Sequence, residues 1–173
     1  PPPGTVAGGE ARGGGPASRE MELLSPVTSV ATITALMLSG GSAFGLDTAT
    51  GAMRWCEEQG LGHDTGAARV PVVPALCIYD LGIGGNALRP GADEGYAACR
   101  AAVAGPHEVG SVGAGTGATV GKLRAQEGWC KGGLGAASVR THDGVTVAAL
   151  AVVNAWGDVL DETGRVIAGV VDE

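Results

Sequence analysis

Apolar residues recur along this chain in two different rhythms. In SAFGLDTATGAMRWCEEQG, from Ser42 to Gly60, the residues Phe44, Leu46, Ala49, Met53 and Cys56 fall at near-helical intervals, which predicts an amphipathic helix. Ser42 stands where an N-cap belongs, Asp47 lies early, where the helix dipole favours an anion, and Gly60 closes the segment. The preceding ITALMLSGG is β-branched and apolar and runs into a glycine pair, as a buried strand does. Further upstream, GTVAGGEARGG reads as a short strand with glycine-rich margins. VPVVPALCIYDLG is apolar and extended, its prolines forbidding helix, and ADEGYAACRAAVAG reads as a second helix.

From Val109 onward the rhythm shortens to that of strands: EVGSVGAGTGATVGKLR, GGLGAASVR, VTVAALAVVNAWGDVLD and RVIAGVV, with HDG and ETG turns between them. Asp143-Gly144 between apolar runs is a strong hairpin signal. The second half thus reads as an antiparallel meander and the first half supplies the helices. That favours an α+β layered sandwich over a doubly wound fold. With no internal repeat and no linker of disordered composition, residues 1–173 read as a single domain fragment.

One position breaks the apolar pattern. The run from Val147 to Val153 is wholly apolar, and then comes Asn154. Transferring an unpaired amide out of water costs roughly 2–7 kcal/mol, so a buried Asn there needs hydrogen-bond partners or serves as one.

Composition narrows the classes. The 173 residues are 45% hydrophobic, which excludes a disordered chain, yet they include only three Trp, two Tyr and one Phe. The core is therefore built from Val, Ala, Leu and Ile, and the 32 glycines point to closely approaching backbones. A net charge of −7 argues against a nucleic-acid partner, whose phosphates demand Lys and Arg, and no polybasic run offers a membrane patch. The longest apolar run is far shorter than the ~20 residues of a bilayer span. Cys56, Cys77, Cys99 and Cys130 form no C-x-x-C and no Cys/His pair of zinc-site spacing, so they fit a reducing cytoplasm better than a disulfide or metal framework. The chain opens PPPGTV without Met and stops just after a strand-like segment, which suggests trimmed ends or one piece of a cut precursor.

Several local motifs tempt. GSVGAGTGATVGKL looks like a phosphate loop, but counting back from Gly121-Lys122 puts Thr116 where the first Walker glycine belongs and Leu123 where the hydroxyl belongs. The dinucleotide pattern fits only loosely, as Gly113, Gly115 and Ala118. SGGSAFG resembles a nucleophile elbow whose last glycine is replaced by Phe44, so Ser42 reads as a helix cap rather than a nucleophile. A triad also needs an imidazole near the serine, and His63 and His142 lie in polar loops while His107 follows a Pro-containing loop. Lys122 is either an edge lysine with its amine in water or a buried base of depressed pKa. Tyr79 offers a structural hydroxyl or an oxyanion donor, and the amide N–H of Asn154 suits the donor role better.

Five segments, in order, resemble one family: LSGGSAFGLDTATGAMRWCEEQG, VPVVPALCIYDLG, GSVGAGTGATVGKL, KGGLGAAS and AALAVVNAWGDVLD. They are similar to the self-processing N-terminal-nucleophile hydrolases that include D-aminopeptidase/esterases, β-peptidyl aminopeptidases and nylon-oligomer hydrolases. The resemblance covers nearly the whole chain, from about Gly4 to Glu173. It implies a precursor that cuts itself before a Ser or Thr, which then heads a smaller β chain as the nucleophile. Its free α-amine, of pKa about 7.7–8.0, would act as base for its own side chain.

By this resemblance the present chain is the larger α chain of an αββα-type sandwich completed by the β chain. Asn154 and Tyr79 are implied at the oxyanion site, and Lys122 beside the nucleophile. The partners implied are a β chain from the same precursor, a small amide or peptide substrate and further copies of the αβ unit, with no metal or organic cofactor. One position departs. The aminopeptidase members carry an acid two residues before the tyrosine, where Cys77 stands here, so at that point the chain is closer to the nylon-oligomer branch; Asp80 is an acid that could substitute. Two other functions remain open at this stage: acyl transfer of the ornithine-acetyltransferase kind, and a non-catalytic assembly subunit.

Overall fold

Among the described residues, the first of two α-helices is led in by a glycine-built turn rather than by a capping serine. In the computed structural model, which describes residues 1–85, 87–124 and 126–170, a 3₁₀ turn (Ser42–Asp47) leads into helix α1 (Thr48–Glu58). Ser42 is not an N-cap: Gly41 holds that place, no side chain caps the turn, and Ser42 itself has φ 56. The turn is tight because Gly45 lies against the Gly40 carbonyl, where a Cβ would sit only 1.8 Å away. Thr48 Oγ1 donates to Gly45 O at 2.7 Å, closing the junction. Asp47 accepts from the Ala92 N–H at 3.2 Å, so its carboxylate serves the start of the other helix, α2 (Ala92–Ala101). Gly60, at φ 68, follows the end of α1 as its position in the sequence predicts.

The chain divides into two compact units, residues 1–77 with 86–105, and residues 78–85 with 106–173. In the first, strands β1 (Ala17–Arg19), β2 (Met37–Ser39) and β5 (Ala75–Cys77) form a sheet in the order β1-β5-β2. β5 runs antiparallel to β1 and parallel to β2, so α1 lies in the crossover between two parallel strands. A small hairpin, β3 (His63–Asp64) with β4 (Arg69–Val70), sits in the same connection. The core is Met37, Ala49, Ala52, Val73 and Ala75, which are small side chains. Helices α1 and α2 approach backbone to backbone, since a Cβ on Gly51 would lie 1.7 Å from Ala92 O and one on Gly95 1.9 Å from Thr48 O. The strand expected over residues 4–14 is absent; a single bridge from Val6 to Thr32 is all that its glycines support.

The second unit is built from antiparallel pairs: β6 (Thr119–Val120) with β7 (Cys130–Lys131), β8 (Gly133–Arg140) with β9 (Thr146–Val153), and β10 (Val159–Leu160) with β11 (Val166–Ala168). Among the described residues these are separate two-stranded sheets, where the sequence reading expects one meander. The two larger hairpins turn in the same way. Thr141 N–H donates to Val145 O and Gly144 N–H to Thr141 O, and the same two bonds recur at Asp161, Gly164 and Arg165. Residues 135–140 and 146–151 are all exposed, including Val139, Val147 and Leu150. Among the described residues the chain is thus α+β, with two α-helices and several small sheets.

Candidate active site

Three loops of the second unit converge where the sequence places its candidate polar residues. The stretch 121–122 is tied to 156–157 by the backbone, with Gly121 N–H on Gly157 O at 3.0 Å and Lys122 N–H on Trp156 O at 2.6 Å. Two side-chain bonds reinforce this: Lys122 Nζ donates to the backbone O of Asn154 at 2.9 Å and to its Oδ1 at 2.7 Å. Asn154 Oδ1 also accepts the Thr119 N–H at 3.0 Å, and its Nδ2 donates to Tyr79 O at 2.9 Å. Two donors on one side and a carbonyl on the other fix which way the amide points.

These bonds give Asn154 the hydrogen-bond partners that its place after an apolar run demands. It is half-buried at the end of β9, and its amide joins the Tyr79 loop, the β6 strand and Lys122. One of its two N–H hydrogens goes to Tyr79 O, which leaves the second for another acceptor. Lys122 is 9% exposed, so it is not the water-facing edge lysine. Burial pushes its amine below the ordinary lysine range, while the nearby Asp80 carboxylate works in the opposite direction. Both hydrogen bonds of this amine go to Asn154, one to its main chain and one to its side chain.

Tyr79 joins the cluster through its backbone carbonyl, and its side chain is 66% exposed. A cavity of about 300 Å³ adjoins these groups, lined by Tyr79, Lys122 and Asn154 together with Thr119, Asp80, Gly82, Ile83, Trp129 and Trp156. Sequence reasoning missed the two tryptophans and Thr119. Tryptophan in so aromatic-poor a chain was the available signal; the role of Thr119 is a backbone N–H, which no residue type announces.

The glycine-rich segment from Gly110 to Leu123 supplies Thr119 and Lys122 to this cluster, and within it a 3₁₀ turn (Gly113–Gly115) packs Gly115 against the backbone at Leu134 and Gly110. Lys131 straps the same loop by donating to Thr116 O at 2.7 Å and Ala118 O at 3.1 Å. His63, His107 and His142 are exposed. Among the described residues no group of three or more His, Cys, Asp or Glu is placed to hold a metal ion, and no helix is long and apolar enough to cross a membrane.

Comparison with known proteins agrees with the resemblance seen in the five sequence segments. The model of peptidase family S58 matches residues 2–172. This chain belongs to peptidase family S58. It is 51% identical over 163 residues to an uncharacterized aminopeptidase of Mycobacterium tuberculosis, covering 93% of this chain and 44% of the relative. An uncharacterized aminopeptidase of Mycobacterium leprae is 47% identical over 167 residues, 92% of this chain and 44% of the relative. A 6-aminohexanoate-oligomer endohydrolase of Paenarthrobacter ureafaciens is 35% identical over 141 residues, 80% of this chain and 38% of the relative. The chain spans less than half the length of these curated relatives.

Proposed function

We propose that this chain is the α part of an amidohydrolase of the N-terminal-nucleophile type, acting on small amide or peptide bonds. A β chain from the same precursor, headed by Ser or Thr, would supply the nucleophile and complete an αββα sandwich. The observation that carries the reading is the Lys122–Asn154 pair at the cavity: a half-buried amide with one N–H to spare, held by a buried amine. The exposed part of the β8–β9 hairpin, residues 135–140 and 146–151 with Val139, Val147 and Leu150, supports the second chain, because a two-stranded ribbon is marginal in water unless something packs on it.

In this scheme Lys122 accepts the proton of the nucleophile's hydroxyl as its oxygen attacks the amide carbon. The oxyanion of the tetrahedral intermediate accepts the remaining N–H of Asn154, a bond strongest when the charge has developed. Lys122 returns its proton to the leaving nitrogen, the C–N bond breaks, and an ester-linked acyl-enzyme remains. Water then releases the acid and restores the hydroxyl. The names of the relatives, aminopeptidase and 6-aminohexanoate-oligomer endohydrolase, support amide bonds as the target.

Intact-mass and N-terminal sequencing of the protein expressed from its complete coding sequence tests this reading, combined with release of amine from simple amides. Two species, one beginning with Ser or Thr, together with amide turnover are expected. A single uncut, inactive polypeptide would overturn it and favour a non-catalytic subunit. Consumption of substrate only when an amine acceptor is present would instead mean acyl transfer.

A further inference from the structure

Two of the chain's three tryptophans line the same cavity, and the scheme above gives them nothing to do. With Ile83 they make its wall largely apolar. At about 300 Å³ the cavity lies at the lower end of the ~300–1,000 Å³ usual for small-molecule sites, which suits one acyl unit rather than an extended chain. Trp129 is anchored from outside the wall: its indole N–H donates to Arg124 O at 3.1 Å, so the ring's single polar atom is already satisfied. The short turn that precedes it (Gln126–Gly128) is pinned to the opposite loop, since Gln126 Nε2 donates to Gly82 O at 2.7 Å. A Cβ placed on Gly82 would lie 3.8 Å from Trp129 Cζ3 and 3.9 Å from Gln126 Nε2, which is ordinary contact. Gly82 thus leaves open a space that a side chain could fill without strain.

We propose that Trp129, Trp156 and Ile83 form an acyl pocket beside the Lys122–Asn154 pair, selecting amides whose acyl group is uncharged and apolar, with Gly82 setting the pocket's depth. The proposal rests on the amidohydrolase reading for turnover, but binding tests the pocket independently. An apolar wall discriminates by size and hydrocarbon contact, and one methylene in such a pocket is worth roughly 10–200-fold. A carboxylate, Asp80, also lines the cavity, and aromatic rings beside a carboxylate hold cations as well. The competing ligand is therefore an acyl chain carrying an ammonium.

The experiment uses the protein from its complete coding sequence, with wild type, Gly82→Val and Trp129→Ala compared. Turnover is read on the acetyl, hexanoyl, phenylacetyl and 6-aminohexanoyl amides of one amine. Binding of acetamide, hexanamide, phenylacetamide and 6-aminohexanamide is read by saturation-transfer NMR. The expected result is a preference for hexanoyl and phenylacetyl over acetyl and 6-aminohexanoyl groups. That preference should shrink at least about 10-fold in both variants. If Trp129→Ala fails to fold, Gly82→Val alone decides. Equal effects on every acyl length would overturn the pocket, and so would a tryptophan-dependent preference for the 6-amino compounds. If no amide is hydrolysed but hexanamide binds wild type and not Gly82→Val, the pocket stands and the hydrolase reading falls.

Discussion

Lys122 and Asn154 are joined twice, since one amine donates to both the side-chain and the main-chain carbonyl of a single asparagine, at 2.7 and 2.9 Å. The bonds are held in register by the backbone pair Lys122 N–H to Trp156 O at 2.6 Å. A buried lysine of lowered pKa is therefore tied to an amide that has one N–H to spare. A change at either residue should be felt by the other, and this can be measured.

Asn154→Ala removes the amide donor together with one of the two acceptors of Lys122, leaving the main-chain carbonyl, and turnover should fall by roughly 10²–10³ in kcat. Asn154→Asp keeps the shape but places a negative charge against Lys122, which would raise the lysine's pKa and move the rising limb of the pH profile to higher pH. Activity on a reactive amide left unchanged by the Ala substitution would rule out the oxyanion role.

The pH dependence follows from the burial of Lys122. Its folded pKa is lowered, so the neutral amine exists at a lower pH than for a free lysine. The rate should rise with pH through that depressed value, and Lys122→Met should lose this limb. Lys122→Arg, which stays charged, should be inactive throughout. For stability the unfolded chain binds the proton more tightly, so the stabilising contribution is full above the ordinary lysine pKa and lost as pH falls through the lowered one. Denaturant midpoints should therefore climb with pH over that window in wild type and not in Lys122→Met.

Gly121 tests whether the loop carrying Lys122 depends on backbone contact. It has φ 72, and a Cβ there would lie 2.5 Å from Gly169 C and Val170 N. Gly60 has a similar φ of 68 with nothing within 4 Å. Gly60→Ala should cost only the left-handed penalty, about 1–2 kcal/mol. Gly121→Ala should cost more, with an additional loss of turnover as Lys122 shifts. Equal thermal shifts for the two would show that the contact with residues 169–170 contributes nothing.

The turn at residues 161–165 is organised by one carboxylate. Asp161 Oδ1 accepts from Thr163 N–H at 2.9 Å, Thr163 Oγ1 at 2.7 Å and Arg165 N–H at 3.0 Å. The Thr163 hydroxyl foremost holds its pKa below the usual aspartate range. Its stabilising effect is present above the unfolded aspartate pKa and is lost as pH falls through the lowered value. Asp161→Ala should speed amide exchange at Thr163 and Arg165 at neutral pH, while exchange at the β8–β9 turn stays unchanged.

The helices were legible because periodicity and termination are local. Ala49, Met53 and Cys56 marked α1 and Gly60 its end, whereas Phe44 and Leu46 of the same pattern fall in the 3₁₀ turn before it. The hairpins were legible for the same reason, from Asp143-Gly144 and the ETG turn. Ser42 misled because a hydroxyl before an apolar run usually caps, whereas here Gly41 and the close approach at Gly45 build the turn and the Thr48 hydroxyl closes it. The expected strand near Val6 failed because glycine gives a strand little side chain to pack.

By itself the sequence determined the family, the α+β class and the identities of Asn154, Lys122 and Tyr79 as residues of interest, since ordered motifs and periodic patterns survive in one dimension. Only the tertiary structure decided how those residues meet. That Tyr79 contributes a carbonyl, that Thr119 contributes an N–H, and that Trp129 and Trp156 share one wall are facts about backbone groups and about residues far apart in the chain. Every residue but proline carries the same N–H and C=O, so which of them faces a site is set by the loops that pack there rather than by residue type.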